Sequence, residues 1–294
     1  MRKAFIQELI KQARINKNIY LLVADVGYNL VEPFQQEFLD RFINVGIAEQ
    51  SMIGIAAGLA MQGKKVFCYS LGNFPTLRCL EQIRNDVCYH NLDVKIVNSG
   101  AGLYYGTLGS SHHATEDIAV MRALPNMTVI SPSGRDDVNV YMQWICDNKT
   151  PCYLRLQGSN DINSDLQCLM GDEEIVVLST GGITIEAVEA VETIKTDKKI
   201  IVCRVLFIKP LDLSWLKNMP NLRTILTVEE HNLSGGLGSA VLEALSDMGL
   251  NTRVVRIGLQ DKFCKEVGSQ EYLRKLNGLD AESIANKIKG VLNG

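Results

Sequence analysis

FINVGIAEQSMIGIAAGLAM, residues 42–61, joins two patterns of different period. Phe42-Ile43-Asn44-Val45 is a short apolar run that reads as a buried strand, and Gly46 ends it. From Glu49 onward, Ile53, Ala56, Ala57 and Ala60 recur at helical spacing, with Gly54 and Gly58 interleaved on a neighbouring stripe. Small residues at this density let a helix backbone approach another element closely. Glu49 is at odds with its surroundings. It stands between a strand and a helix with almost no charge, so packing tends to desolvate it. A desolvated carboxyl has a raised pKa and becomes useful for moving protons. The plainer alternative is a helix-start acid that faces water and the macrodipole.

The same alternation extends in both directions. Residues 20–24, 65–69, 94–97, 127–130 and 152–156 are strand-like runs, with helical stretches at 34–42, 77–87, 115–123 and 136–147. The composition turns polar over Gln157 to Cys168, QGSNDINSDLQC, which reads as a linker. Strands at 175–178, 200–204, 224–228 and 252–257 then alternate with helices at 185–194, 213–216, 239–248 and 281–292. Strands alternating with helices imply mostly parallel sheets covered on both faces. The expectation is two three-layer α/β domains, residues 1–158 and 171–294, joined by a linker at 159–170.

The totals exclude several function classes. The chain has 294 residues, a net charge of −3 and a pI of about 5.9, so no basic field points to nucleic acid. No apolar run is long enough for a membrane span. The first twenty residues lack the continuous apolar core of a secretory signal, and Ile6, Leu9, Ile10 and Ala13 share one face of an ordinary helix. Eight cysteines form no C-x-x-C pair and no zinc-spaced cluster, so no metal site is expected here. Their apolar contexts fit a reducing cytoplasm.

Four features carry candidate chemistry. The loop from Ser99 to His113 is glycine-rich and ends in adjacent histidines, His112 and His113. It leaves the carboxyl end of an expected strand, where open α/β sheets bind ligands. Phe74 precedes Pro75 and is held extended, either as core or as a stacking surface. Arg155 interrupts an apolar strand, so it is either paired structurally or reaches a phosphate or carboxylate. Gly235-Gly236-Leu237-Gly238 resembles a phosphate loop but lacks G-x-G-x-x-G spacing and a following Lys-Ser/Thr, which favours a structural turn.

VGIAEQSMIGIAAGLA, YSLGNFPTLRCLEQIRND, GSSHHATEDIAVMRALPNMTVISP and TVEEHNLSGGLGSAV resemble, in order, the C-terminal half of transketolases. The resemblance spans nearly the whole chain and is weakest in the linker and after Gln260. It is that of the C-terminal subunit of a split transketolase, with a pyrimidine-binding and a C-terminal domain. Similarity to 1-deoxyxylulose-5-phosphate synthase is more distant. The resemblance implies thiamine diphosphate as cofactor. It implies that Glu49 bonds N1′ of the aminopyrimidine and assists deprotonation of the thiazolium carbon. By the same resemblance Phe74 stacks on the pyrimidine and Asp25 lies near the cofactor. His112, with His113 beside it, contacts substrate, and Arg155 binds the sugar phosphate.

One departure from the family pattern concerns the substrate. Gly106-Thr107-Leu108-Gly109 stands where the family carries G-E-D-G, so Leu108 replaces an acid that contacts a substrate hydroxyl. An apolar side chain penalises a buried hydroxyl, which points to a sugar deoxygenated, branched or otherwise altered at that carbon. The chain also has no Gly-Asp-Gly followed by Asn to hold Mg²⁺ and a diphosphate. The resemblance therefore implies a separate N-terminal subunit that supplies them, and two copies of each chain in an α2β2 assembly. Competing readings are a 1-deoxyketose-phosphate synthase, a 2-oxo-acid dehydrogenase β chain and a non-catalytic scaffold.

Overall fold

The computed structural model describes residues 1–157 and 174–293; the stretch expected to link two domains, 159–170, lies outside them. The strands are β1 (Ile19–Val23), β2 (Phe42–Asn44), β3 (Lys65–Leu71), β4 (Val94–Ser99), β5 (Thr128–Ile130), β6 (Cys152–Leu156), β7 (Ile175–Thr180), β8 (Ile200–Arg204), β9 (Phe207–Lys209), β10 (Thr224–Asn232) and β11 (Arg253–Leu259). The α-helices are α1 (Arg2–Ile15), α2 (Glu32–Glu37), α3 (Glu49–Met61), α4 (Leu80–Gln82), α5 (Asp117–Ala123), α6 (Arg135–Asp147), α7 (Thr184–Glu192), α8 (Leu237–Asp247), α9 (Gln270–Leu276) and α10 (Ala281–Leu292).

One sheet has the order β2-β1-β3-β4-β6-β5-β9, parallel except for β9. The second has the order β11-β10-β7-β8 and is parallel throughout. Residues of β4 and β6 are buried on both faces, which explains their near-continuous apolar runs. On one face of the first sheet, Phe5, Leu9, Met142 and Ile145 of α1 and α6 pack on Leu21, Phe67 and Leu154. On the other, Met52, Ile53, Ala56, Ile118 and Met121 of α3 and α5 pack on Leu22, Cys68, Ile96 and Tyr153. The second sheet is likewise sandwiched, with α7, α9 and α10 on one face and α8 on the other. Burying each large apolar side chain contributes roughly 1.5–3 kcal/mol, so two such double-faced layers carry the fold. Among the described residues, no helix is long and apolar enough to cross a membrane.

Several elements differ from expectation. β2, expected to be buried, is only partly so, the helix expected over 34–42 ends at Glu37, and the helix expected over 213–216 is a 3-10 turn. β9 comes from the second half of the chain yet pairs antiparallel with β5 of the first sheet. α9 was not foreseen. The expected helix over 77–87 is broken into a 3-10 turn at Leu77–Cys79, the short α4 and a π-helical turn at Ile83–Cys88. Such a break re-aims side chains, and π-turns recur at functional sites.

The consequence for function is geometric. β2, β1, β3 and β4 are neighbours and all point the same way. The turns that follow them therefore meet at one edge, and those turns carry Glu49, Asp25, Phe74 and His112.

Candidate functional site

β2 ends at Asn44, whose Oδ1 accepts from the backbone N–H of Asp25 and of Gly46, both at 3.0 Å. That side chain ties the turn after β1 to the turn after β2. Glu49 is the first residue of α3 and is only 2% exposed. The expected lone acid has a counter-charge. Arg78 Nη1 donates to Glu49 Oε2 at 2.7 Å, which leaves Oε1 as the second acceptor. Gln50 Nε2 donates to the carbonyl of Arg78 at 3.0 Å, so the start of α3 holds the arginine at both ends. The Arg78 guanidinium also lies over the Phe74 ring, 4.1 Å from its centroid. Phe74 in turn meets the His112 ring edge-on at 5.2 Å. Glu49, Arg78, Phe74 and His112 thus form one continuous chain of contacts.

Two turns must approach closely for this to happen. Gly72 has φ +57°, and a Cβ there would lie 2.7 Å from the carbonyl oxygen of His112. Any other residue would push the turn after β3 away from the histidine. His112 shares a 3.0 Å hydrogen bond between Nδ1 and Ser111 Oγ. Leu108, 54% exposed, lies in the 3-10 turn Gly106–Leu108 just before it. Asp25 has a left-handed backbone, φ 52°, and its Oδ1 accepts from Asn44 Nδ2 at 3.3 Å.

Two residues expected to contact substrate are buried in the chain. Arg155 is 0% exposed. Its Nε donates to Asp117 Oδ2 at 2.7 Å, and its Nη2 donates to the carbonyls of Ala114 (3.2 Å) and Glu230 (3.0 Å). The guanidinium is held by an internal carboxylate and by the seam between the two sheets, while its Nη1 keeps no hydrogen-bond partner among the described residues. His113, 3% exposed, turns inward beside Thr115 and Leu103, and burial pushes its pKa down.

The glycine turn at 235–238 behaves as a structural turn. Glu229 accepts from the N–H groups of Leu237 (2.6 Å) and Gly238 (2.8 Å). The donors a phosphate would need are occupied by the chain's own carboxylate. Burial raises Glu229 to about 7 and lowers its neighbour His231 to about 4. Among the described residues, no group of three His, Cys, Asp or Glu side chains is placed to hold a metal ion.

Arg78 is the site residue that sequence reasoning missed. The available signal was a cation four residues after Phe74, facing an acid at the head of a helix without other charge.

Comparison with known proteins gives the family. Residues 1–160 match the family described as the transketolase pyrimidine-binding domain, and residues 166–284 match the transketolase C-terminal domain. A Methanocaldococcus jannaschii protein that carries the name of a transketolase C-terminal section is 38% identical, over 98% of this chain and 95% of its own length. A protein of Actinobacillus succinogenes named as a subunit of an apulose-4-phosphate transketolase is 33% identical, over 96% of this chain and 94% of its own. A solved structure described as a split-gene transketolase, an inactive β4 tetramer, superposes with a TM-score of 0.87 at 31% identity, covering 99% of this chain and 98% of that one. With the glutamate, aromatic and histidine gathered at one sheet edge and both domains matched in order, the chain belongs to the transketolase family.

Proposed function

We propose that this chain is the C-terminal subunit of a split, thiamine-diphosphate-dependent transketolase that transfers a two-carbon ketol unit between sugar phosphates in the cytoplasm. The observation that carries this reading is the buried Glu49 in contact with Arg78, which leads through Phe74 to His112. The residues fit the pyrimidine end of the cofactor. Phe74 offers an aromatic face, and Glu49 keeps one oxygen apart from its ion pair for a ring nitrogen.

Thiamine diphosphate, when bound, supplies the nucleophilic carbon that carries the two-carbon unit. The chain's own residues then have distinct tasks. Glu49 exchanges a proton at N1′ of the aminopyrimidine, and its burial excludes competing water. Arg78 fixes the carboxylate through Oε2. Phe74 packs the ring, and Asp25 borders it. His112 donates to a substrate hydroxyl. Leu108 excludes a hydroxyl at the position it faces, which fits a sugar phosphate of unusual structure; a relative named for apulose-4-phosphate supports this.

A second subunit supplies the diphosphate and Mg²⁺ site in an α2β2 assembly. The outer face of α3 supports a partner there. Among the described residues, and apart from the backbone of α3 itself, no atom lies within 4 Å of a Cβ built on Gly54 or Gly58. Ile47 and Tyr28, on the turns beside Glu49 and Asp25, are 81% and 87% exposed. Large apolar side chains exposed together beside a site mark a surface that another chain covers. The similar split-gene structure, a tetramer of one chain type, is described as inactive.

The test is reconstitution with an N-terminal transketolase subunit, thiamine diphosphate and Mg²⁺, assayed with ketose phosphate donors. Transfer activity in the mixture and in neither chain alone is expected. Carbon dioxide release from pyruvate would point instead to a deoxyketose synthase. Leu108→Asp should gain activity on ordinary ketose phosphates; efficient turnover of these by the unaltered complex would sink the specificity reading.

A further inference from the structure

The loop of residues 99–114 carries both Leu108 and His112, yet much of what holds it comes from the other half of the chain. Glu230, on β10, is fully buried. Its Oε1 accepts from the backbone N–H of Leu103 at 2.6 Å, at the root of the loop. The carboxylate is also held from its own side. Gln270 Nε2 donates to Oε1 at 2.8 Å and to Oε2 at 3.1 Å, and Arg274 Nε donates to Oε2 at 2.6 Å. Arg274 is braced by Glu186 at 3.2 Å. Three further links cross the same seam. Asn232 N–H donates to the carbonyl of Thr115 at 2.9 Å, Gly268 N–H to the carbonyl of Gly106 at 3.2 Å, and Arg155 joins the carbonyls of Ala114 and Glu230. Gly102 and Ala114 close the loop with reciprocal bonds of 2.9 and 3.0 Å.

Steric fit repeats the pattern. Gly102 has φ +68°, and a Cβ on it would collide with Glu230 Oε1. A Cβ on Gly106 would fall 2.5 Å from Leu273 Cδ1 and 2.6 Å from the carbonyl oxygen of Gly268. Glycine stands at two of the places where the loop meets the second domain, on either side of Leu103, whose side chain is buried in that domain's core.

We infer that Glu230 is a positioning residue: from the second domain it presets the loop that presents Leu108 and His112 to substrate. The inference rests on the reading of those two residues as substrate contacts. Glu49 and Arg78 stand on other turns, and Phe74 meets the loop only at the edge of His112, so the clamp bears chiefly on substrate binding. The TVEEHN segment thereby gains a role that its burial alone does not reveal.

Hydrogen exchange on the full chain tests the clamp without any assay of activity. In Glu230→Ala, the amides of residues 102–113 should exchange roughly tenfold faster or more, as expected when a buried charged acceptor is removed. Glu230→Gln keeps an acceptor for Leu103 and should recover most of the protection. Gly106→Ala, which touches no charge, should loosen the same amides and serves if the Glu230→Ala chain does not fold. In the reconstituted complex, the KM for ketose phosphate should rise about tenfold in the loosened variants, while thiamine diphosphate affinity stays within about twofold. Unchanged exchange over 102–113 in a folded variant would overturn the proposal, as would a loss of cofactor affinity parallel to the rise in KM. A loosened loop in a complex without thiamine-dependent activity would leave the clamp standing and remove the functional reading.

Discussion

The carboxyl edge of the first sheet and the seam between the two sheets use the same residue types to opposite ends. At the edge, Glu49 pairs with an arginine that is partly open to solvent, and the aromatic and histidine beyond it are not sealed in. At the seam, Arg155 pairs with Asp117 where both side chains are 0% exposed, and Glu230 pairs with Arg274 in similar depth. The edge pair leaves Glu49 Oε1 beside an arginine that solvent reaches; the seam pair is sealed from solvent, with Arg155 Nη1 and Asp117 Oδ1 left without hydrogen-bond partners among the described residues. The contrast predicts that edge substitutions remove activity and spare the fold, and that seam substitutions cost stability or loosen the loop the seam holds, without removing a group that does the chemistry.

The largest expected effect is at the edge. Glu49→Ala should lower the transfer rate of the reconstituted complex by about 10²–10⁴-fold, the usual range for a lost acid–base group. Circular dichroism and thermal midpoint should stay close to those of the unaltered chain, and a collapse of the midpoint would break the contrast. Arg155→Met comes next. It leaves Asp117 buried without its partner and should destabilise the chain by about 3–5 kcal/mol, read as a shift in the urea midpoint. Loss of substrate affinity without loss of stability would return Arg155 to the substrate site.

The third prediction concerns pH at the seam. His231 is neutral in the fold, with its pKa lowered from 6.5 to about 4 by burial. Its contribution is present above pH 6.5 and is lost as pH falls toward 4. Glu229 is raised from 4.5 to about 7, again by burial. Its contribution is present below pH 4.5 and is lost as pH rises through 7. The two slopes oppose each other between these limits, each amounting to roughly 3 kcal/mol at most. His231→Gln should therefore leave a chain that gains stability from pH 7.5 to 5, and Glu229→Gln one that loses it. Urea midpoints at the two pH values read the sign directly. The smallest effect is Arg78→Met, which frees both oxygens of Glu49 and removes the cation over Phe74. It should weaken thiamine diphosphate binding by the complex about tenfold, as expected for one charge-assisted contact. No change in affinity would show that Arg78 only decorates the edge.

The edge was more legible in sequence than the seam, for physical reasons. Double-faced burial turns β4 and β6 into unbroken apolar runs, and the switch of period after Gly46 marks Glu49 as the head of a helix. Glycines and paired histidines between Ser99 and His113 flag a loop at a strand end. By contrast, a lone arginine in an apolar strand has two readings. The partners that hold Arg155 are Asp117, 38 positions away, and the carbonyl of Glu230 in the second sheet. Arg78 was missed because its acid precedes it by 29 positions. β9 is three residues long and stopped by Pro210, too short for alternation to show.

The central claim is that one chain holds the ring of the cofactor and another holds its tail. Isothermal titration of thiamine diphosphate with Mg²⁺ into this chain, into an N-terminal transketolase subunit, and into the mixture measures that division. Tight binding is expected only from the mixture, abolished or greatly weakened by Glu49→Ala. Equally tight binding by this chain alone would contradict the division.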